Sequence, residues 1–191
     1  MTSAGKNSSP PQWQQWISSD LTLGALVALL SVLTALAAYR ASILDANASG
    51  HEVEGQRTLS ESTAAYLSAN QEIILDYTLY DSFVLSEGAD EFAANYYQDN
   101  FSQQLIDSLE RPTGPFDDQY YDDVLGFAET LYDQSLEEFD MGQALGDRAN
   151  QVQLVMLIFA VGLSLAAWAS LLDEGVRLRA AFATFSTISM V

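Results

Sequence analysis

The only histidine of the chain, His51, lies in the stretch GHEVEG beside Glu52 and Glu54. An imidazole among carboxylates could serve as a general base or a metal ligand. A single histidine excludes H-E-x-x-H zinc sites and the paired Glu-x-x-His of di-iron bundles. No serine near it stands in a nucleophile-elbow context, which disfavours a Ser-His-Asp triad. We therefore expect His51 to be solvated, with a ligand or pH-switch role as the alternative.

Four aspartates lie in PFDDQYYDD, residues 115–123. Carboxylate oxygens are the ligands that Ca²⁺ prefers. The stretch lacks a D-x-D-x-D-G loop, and on a helix Asp118 and Asp122 share a face while Asp117 and Asp123 diverge. Aspartate is also favoured at a helix N-terminus, which carries a partial positive charge. We predict the acidic start of a helix and no metal ion, with a Ca²⁺ site as the alternative.

The sequence lacks the residues and motifs of cysteine chemistry and of nucleotide binding. The chain has no cysteine, which excludes disulfides, thiolate metal sites and cysteine nucleophiles. It also has no G-x-G-x-x-G or Walker A motif. We therefore predict that the protein is not an enzyme and that it holds no cofactor.

Two tyrosine pairs, Tyr96–Tyr97 and Tyr120–Tyr121, are candidate partner contacts. Adjacent residues of a helix point in different directions, so only one ring of each pair can face the core. The other ring is left at the surface, where tyrosine favours contact with a partner protein. The alternative is that these rings belong to the core and its rim and contact no partner.

Two uncharged stretches of 19 residues predict transmembrane helices. They are LTLGALVALLSVLTALAAY, residues 21–39, and LVMLIFAVGLSLAAWASLL, residues 154–172. A helix of about 20 residues matches a hydrocarbon core of about 30 Å. A cleaved signal peptide is the alternative for the first stretch, but its apolar run is long and no A-x-A site follows. Neither stretch contains Asp, Glu, Lys, Arg or His, which disfavours a pump or transporter.

The segment before the first span, residues 1–20, is predicted to be a disordered tail followed by an interfacial anchor. Its first part, MTSAGKNSSPPQ, is small and polar. Trp13 and Trp16 follow, and indoles next to a span favour the headgroup layer. An aromatic patch for a partner protein is the alternative.

Residues 40–153 are predicted to form an acidic extramembrane helical domain. Residues 41–150 carry 23 of the 26 acidic residues and only three arginines, a net charge of −20 with His51 neutral. This field repels nucleic acid and anionic lipid, so nucleic-acid binding is excluded. Abundant aspartate and a single lysine, Lys6, are also typical of proteins that work in high salt.

A 3- and 4-residue spacing predicts helices throughout this domain. The first runs over about residues 56–87 and ends at SEG, with residues 41–56 as a bent continuation of the span. Its inward stripe is Leu59, Tyr66, Ala69, Ile73, Tyr77, Tyr80 and Val84.

A second helix is predicted over residues 89–109 and ends at the breaker RPTGP. Its predicted inward residues are Phe92, Tyr96, Leu105 and Leu109.

From Asp118 a single helix of about 55 residues is predicted to continue into the second span. Its inward stripe is Tyr121, Val124, Ala128, Leu131, Ser135, Phe139, Gly142, Gly146 and Ala149.

Residues 173–191 combine a basic turn with an uncharged end, AAFATFSTISMV. Twelve apolar residues are too few to cross a bilayer. We expect the start of a third transmembrane helix, with an interfacial or partner-packed helix as the alternative. The fold class is therefore all-α: an integral membrane helical hairpin of two spans, with this segment as the start of a third, and an acidic helical bundle.

Small residues recur along both spans and are candidate helix-packing positions, because membrane helices associate through close backbone approach. In the first span they are Gly24, Ala28, Ser31, Ala35 and Ala38. The second span has two such faces, one with Ala160, Ser164 and Ala167 and one with Gly162, Ala166 and Ala169.

The layout of span, helical domain and span resembles the extracytoplasmic four-helix-bundle sensor modules of chemoreceptors and sensor kinases. Those receptors continue into a HAMP-type linker, whereas DEGVRLRAAFATFSTISMV turns apolar again. The stretch ALGDRANQVQLVMLIFAVGLSLAAWASLL resembles prokaryotic membrane proteins in which a helical insert separates the first two of about three spans. That family has no assigned activity, so the resemblance implies a shape and no site residues.

These observations lead to one expected function and one alternative. We expect a non-enzymatic integral membrane scaffold or accessory subunit, in contact with lipid and with other membrane subunits or copies of itself. The expected location is the cytoplasmic membrane of a prokaryote, with the acidic domain extracytoplasmic. The alternative is a membrane sensor or ligand-binding module that transmits helix displacement.

Overall fold

The computed structural model describes residues 19–173 and 177–190. These described residues form five helices, in order α1 (Asp20–Ser86), α2 (Glu91–Gln98), α3 (Gln103–Leu109), α4 (Asp118–Leu171) and α5 (Arg177–Ile188). No strand occurs among the described residues. The predicted all-α fold class is confirmed.

The two long helices, α1 and α4, have 67 and 54 residues. Neither contains a proline, so every residue along its length keeps its backbone N–H donor. The predicted long returning helix is confirmed as α4. In α1 the predicted first span, its continuation and the helix after it form one element. Each of the two contains a segment long and apolar enough to cross a membrane.

The end of α1 falls in the predicted SEG stretch. The Ser86 carbonyl accepts hydrogen bonds from the N–H groups of Ala89 at 3.0 Å and Asp90 at 2.9 Å. Gly88 adopts φ +77°, a left-handed conformation that glycine reaches without steric cost. This turn ends α1 and leads into α2.

The predicted single helix over residues 89–109 is wrong, because α2 and α3 are separate. Asp90 caps α2 by accepting the Ala93 N–H at 3.1 Å. The Ser102 Oγ caps α3 by accepting the Leu105 N–H at 3.0 Å. A side chain that accepts a free N–H group of a first turn favours a helix start at that residue, and apolar spacing does not register this preference.

The split changes which side chains face inward. Leu105 is fully buried as predicted, but Phe92, Tyr96 and Leu109 are exposed. In α2 the buried residue is the small Ala94 instead.

The predicted breaker RPTGP separates α3 from α4, as expected. Gly114 has φ +87° and Phe116 has φ +62°, so two residues of this connection are left-handed. Phe116 lacks the freedom of glycine, and its ring stacks on Tyr77 with centroids 4.0 Å apart. The packed ring holds a backbone conformation that its residue type disfavours.

Residues Ser49–Gln143 form one compact unit. The predicted α4 stripe is confirmed here, because all of its positions in the unit are buried or half-buried. The α1 stripe is partly wrong, since Tyr66, Tyr77 and Val84 are exposed. The buried positions of α1 in the unit are occupied by small or polar residues: Gly55, Thr58, Ser62, Ala69 and Asp76.

Close approach of α1 and α4 explains why small or polar residues occupy the buried positions of α1. The Ser62 Oγ donates directly to the Ala128 carbonyl at 2.8 Å. A Cβ on Gly55 would lie 3.0 Å from the Phe139 ring. Small side chains on α1 therefore leave room for the α4 backbone at Ser62 and for the Phe139 ring at Gly55.

The second unit combines the described residues up to Ala48 with those from Ala144 onward. Leu23, Ala169 and Ala183 form its buried cluster, with Phe182 packed against it, so α5 packs on α1 and α4. Arg179 is buried and donates to the Leu172 carbonyl at 2.8 Å and to the Asp20 carboxylate. The 12 residues of α5 rise about 18 Å. The third span therefore stays a prediction.

Candidate functional site

The buried carboxylate of Asp76 on α1 is the centre of a polar network in the unit Ser49–Gln143. Its side chain is fully buried, with 1% of the residue exposed. The Ser102 N–H donates to Oδ1 at 3.1 Å and the Ser102 hydroxyl to Oδ2 at 2.5 Å. The Tyr120 hydroxyl donates to Oδ2 at 2.8 Å. One carboxylate thus joins α1 to the start of α3 and the start of α4.

A second carboxylate, Asp117, continues the network at the start of α4. Arg111 donates to it through Nε at 2.8 Å and Nη2 at 2.7 Å, in the two-point geometry of a strong guanidinium–carboxylate pair. The Thr113 hydroxyl donates at 2.6 Å, and the Tyr120 N–H donates at 2.9 Å. Asp117 therefore caps the helix and fastens the connection that precedes it.

These contacts shift the pKa values of the groups involved. The hydrogen bond from Arg111, followed by that from Thr113, lowers the pKa of Asp117 well below its ordinary range. The hydrogen bond to Asp117 raises the pKa of Arg111. Burial, followed by the hydrogen bond to Asp76, raises the pKa of Tyr120 far above its ordinary value. Tyr120 is therefore a neutral donor and Asp117 an acceptor at neutral pH.

Aromatic rings surround this network. Phe101 and Tyr120 are buried, and Tyr80, Phe83 and Phe116 pack against them. The rings meet mostly edge to face, as Phe83 and Phe101 do at 5.7 Å. At the rim the hydroxyls of Tyr77 and Tyr121 lie 2.5 Å apart, and this hydrogen bond raises the pKa of Tyr121.

His51 was predicted to be solvated, but it pairs with a carboxylate of another helix. Its Nδ1 lies 2.6 Å from Glu138 Oε2, and both side chains are about a third exposed. Glu138 comes from α4, which the sequence around His51 does not reveal. The pair links α1 to α4 within the unit.

The four aspartates of residues 115–123 have different environments. Asp117 is held by Arg111, and Asp123 accepts from Gln119 Nε2 at 2.8 Å. Asp118 and Asp122 are exposed on α4. Among the described residues no three His, Asp or Glu side chains come together as metal ligands.

The predicted partner contacts divide between core and surface. Tyr120 is fully buried, so it cannot contact a partner, and Tyr121 is the half-buried member of its pair. In the other pair Tyr96, predicted inward, is exposed, while Tyr97 is half-buried. Trp13 and Trp16 lie outside the described residues.

The predicted helix-packing residues also divide. All five small residues of the first span are exposed, namely Gly24, Ala28, Ser31, Ala35 and Ala38, and so are Ala160 and Ser164 on α4. Gly162 and Ala166 are buried. A Cβ on Gly162 would overlap Ser189 and lie 3.6 Å from Leu30. The Gly162 face thus packs within the chain, and the other two faces point outward.

Sequence reasoning missed the residues at the centre of the network. Asp76 falls on the apolar stripe of α1, three residues after Ile73 and four before Tyr80. A carboxylate at such a position signals a buried polar contact. Its partners Ser102 and Tyr120 are 26 and 44 residues away, and the spacing of the stripe carries no information about them.

Comparison with known proteins returned no relatives. No protein-family model matches the chain, and no curated protein or solved structure is significantly similar to it. Its function is therefore inferred from the geometry alone.

Proposed function

We propose that this chain is a non-enzymatic integral membrane protein that acts as a scaffold or accessory subunit of a larger membrane assembly. In this proposal the apolar segments of α1 and α4 insert as a hairpin. Residues 40–153 form an acidic helical domain on the extracytoplasmic side of a cytoplasmic membrane.

Exposure of the apolar segments supports insertion. Only 11% of the most apolar 18-residue window of α1 is buried, and 17% of that of α4. Large side chains such as Val32, Leu36 and Trp168 are more than half exposed. Leaving this surface in water would cost about 25 cal/mol per Å² of apolar area. A core helix of a water-soluble protein buries such a window, whereas lipid solvates it.

The observation that carries the assembly proposal is the outward direction of the small residues of α1. Gly24, Ala28, Ser31, Ala35 and Ala38 fall within an arc of about 80° on one helix face. That face is exposed, so neither α4 nor α5 uses it. In lipid, a face of small residues permits the close backbone approach through which helices associate.

The engagement of the reactive side chains supports a non-enzymatic role. The Ser102 hydroxyl is held between Asp76 and the Leu105 N–H, as a helix cap. His51 is paired with Glu138. A nucleophile and its base must lie within hydrogen-bond reach of each other, and these residues are bonded to other groups.

Two substitutions test the assembly role. Ala35→Leu places a large side chain near the centre of the small-residue face, and Ala25→Leu makes the same change about 80° around the helix, at an exposed position outside that face. After purification from native membranes in mild detergent, Ala35→Leu should lose the co-migrating subunits and Ala25→Leu should keep them. If both variants keep them, the assembly role is wrong. If alkaline carbonate extracts the wild-type chain from membranes, insertion is wrong.

The absence of cysteine permits a direct test of orientation. A single cysteine in place of the exposed Asp81 should react with a membrane-impermeant maleimide in intact cells. Reaction only after the cells are broken would place the acidic domain inside.

The continuity of the long helices favours a second candidate, a sensor module. Both α1 and α4 run unbroken from the apolar segment into the acidic part of the chain. A sensor also needs a binding pocket. A small solute that raises the melting temperature of the wild-type protein at constant ionic strength would favour this candidate.

A further inference from the structure

We propose that the outward face of α2 binds a basic segment of a partner polypeptide, in which Lys or Arg side chains flank an apolar residue. The α2 face is defined here as Phe92 and Tyr96. The inference rests on the proposed function, because it specifies the chemistry of one partner in the assembly.

The α2 face exposes two aromatic residues about one helical turn apart. Phe92 is 85% exposed and Tyr96 is 60% exposed. Residues four apart on a helix are neighbours on its surface. Leu85, at the end of α1, is 82% exposed. Exposed aromatic side chains in such groups mark surfaces that a partner covers, and they often dominate the binding energy.

The charge around the α2 face determines what kind of partner fits. Residues 58–110 contain no Lys, Arg or His. The acidic residues Glu87, Glu91 and Asp99 lie close to the α2 face in the chain and are exposed. Arg111, the next cation along the chain, is engaged by Asp117.

The helix ends add to this negative potential. Neither α1 nor α2 has a basic residue in its last turn. Each is followed directly by an acidic residue, Glu87 and Asp99 respectively. The C-terminus of a helix carries a partial negative charge and is stabilised by a cation. Within the part of the chain that the structure describes, neither last turn contains a cation, so a cation from a partner lowers the energy of both ends.

Charge also distinguishes among the molecules that could bind the α2 face. A second copy of the chain brings the same net −20 over residues 41–150 and is repelled. Anionic lipid and nucleic acid are repelled for the same reason. A basic polypeptide segment satisfies both features, because its apolar residue covers the rings and its cations meet the carboxylates.

The test uses the full chain in zwitterionic nanodiscs and a dye-labelled peptide of Lys, Leu and Gly, with fluorescence anisotropy as the readout. Phe92→Ser with Tyr96→Ser removes both rings and leaves the net charge unchanged, so nonspecific charge attraction stays constant. We expect the double variant to bind at least about tenfold more weakly. Binding by the wild type should also weaken as salt rises.

Phe127→Ser is the matched control. Phe127 is 70% exposed in the same unit, next to Ala128, which contacts Ser62. Ser62 lies 24 residues before the end of α1, about 36 Å along the helix. This control should bind like the wild type. Empty nanodiscs subtract binding to lipid, and a peptide of Glu, Leu and Gly should not bind.

Three results would overturn the proposal: unchanged affinity of the double variant, an equal loss in Phe127→Ser, or equal binding of the acidic peptide. Reduced self-association of the double variant in sedimentation would assign the α2 face to a second copy instead. Should the double variant unfold, Glu87→Gln with Asp99→Asn replaces it and must weaken binding more than Asp133→Asn with Glu137→Gln, which removes the same charge at exposed positions of α4. Carbonate extraction and Ala35→Leu test the proposed function without involving the α2 face. A failure of the proposed function can therefore be distinguished from a failure of peptide binding by the α2 face.

Discussion

At the scale of single residues, Asp76 shows how a buried carboxyl group is supplied with hydrogen-bond donors. Transfer of a carboxylate out of water is costly unless donors replace the lost hydration. Ser102 supplies a hydroxyl and a backbone N–H, and Tyr120 supplies a second hydroxyl. The network therefore specifies where α3 and α4 begin relative to α1.

Asp76→Ala should destabilise the α3 region by about 3 kcal/mol or more, because it leaves buried donors without an acceptor. Tyr120→Phe removes one hydrogen bond and keeps the ring, so about 1 to 2 kcal/mol is expected. Hydrogen exchange of the α3 amides in detergent-solubilised protein measures both. The exposed Asp81→Ala should change exchange little, and equal protection in Asp76→Ala and wild type would contradict the role of the network.

Asp117 makes the connection before α4 sensitive to acid. Its folded pKa is depressed, so its stabilising contribution is complete above the unfolded pKa, about 3.9. The contribution is lost as pH falls from that value towards the folded pKa. The melting temperature of the wild type should therefore drop between about pH 5 and pH 2 more steeply than that of Asp117→Asn. Asp122→Asn, at an exposed position nearby, should retain the steep drop.

At the scale of elements, replacement of glycine by alanine in α1 should change stability in opposite directions at Gly50 and Gly55. A Cβ on Gly50 meets nothing within 4 Å, so Gly50→Ala should stabilise by about 0.5 to 1 kcal/mol through helix propensity. A Cβ on Gly55 lies 3.0 Å from the Phe139 ring, so Gly55→Ala should destabilise by about 1 kcal/mol. Urea unfolding followed by circular dichroism compares them.

The double variant Gly55→Ala with Phe139→Leu isolates the contact. Its loss of unfolding free energy should be smaller than the sum of the losses in the two single variants, because the smaller side chain makes room for the added methyl. Simple additivity would show that Phe139 is not the obstacle.

The elements differ in how well the sequence predicted them. α4 follows one apolar period without a proline, so both its length and its stripe could be predicted. In α1 the aromatic residues were expected inside, but the approach of the Ser62 region to Ala128 requires small ones. The break after α2 depends on Ser102 acting as a cap, which apolar spacing does not register.

The site was harder to predict than the elements that carry it. That one tyrosine of each pair would lie at the surface was an inference from helix geometry, but Tyr96 was predicted to face inward and is exposed, because α2 and α3 are separate helices. The buried network combines residues far apart in sequence, and periodicity describes only neighbours on one helix. Such contacts depend on how the helices pack in three dimensions.

At the scale of the whole molecule, the uneven charge governs stability in salt. The net −20 of residues 41–150 repels itself, and screening reduces that repulsion. The melting temperature should rise as NaCl is raised from about 20 mM to about 1 M. CaCl₂ at matched ionic strength should give a similar rise, because the described acidic residues form no metal-ligand group. A much larger effect of CaCl₂ would favour the Ca²⁺ alternative, and no rise in NaCl would contradict the account.

The attachment of Asp76 to Ser102 and Tyr120 also limits how α1 can move. Turning the helix by one residue, about 100°, would take the carboxylate away from both partners and leave their donors buried and unpaired. Sliding or bending by a small amount keeps these hydrogen bonds if α3 and the start of α4 follow. Rotation of α1 about its own axis, independent of α3 and α4, is therefore a motion that this end of the unit resists.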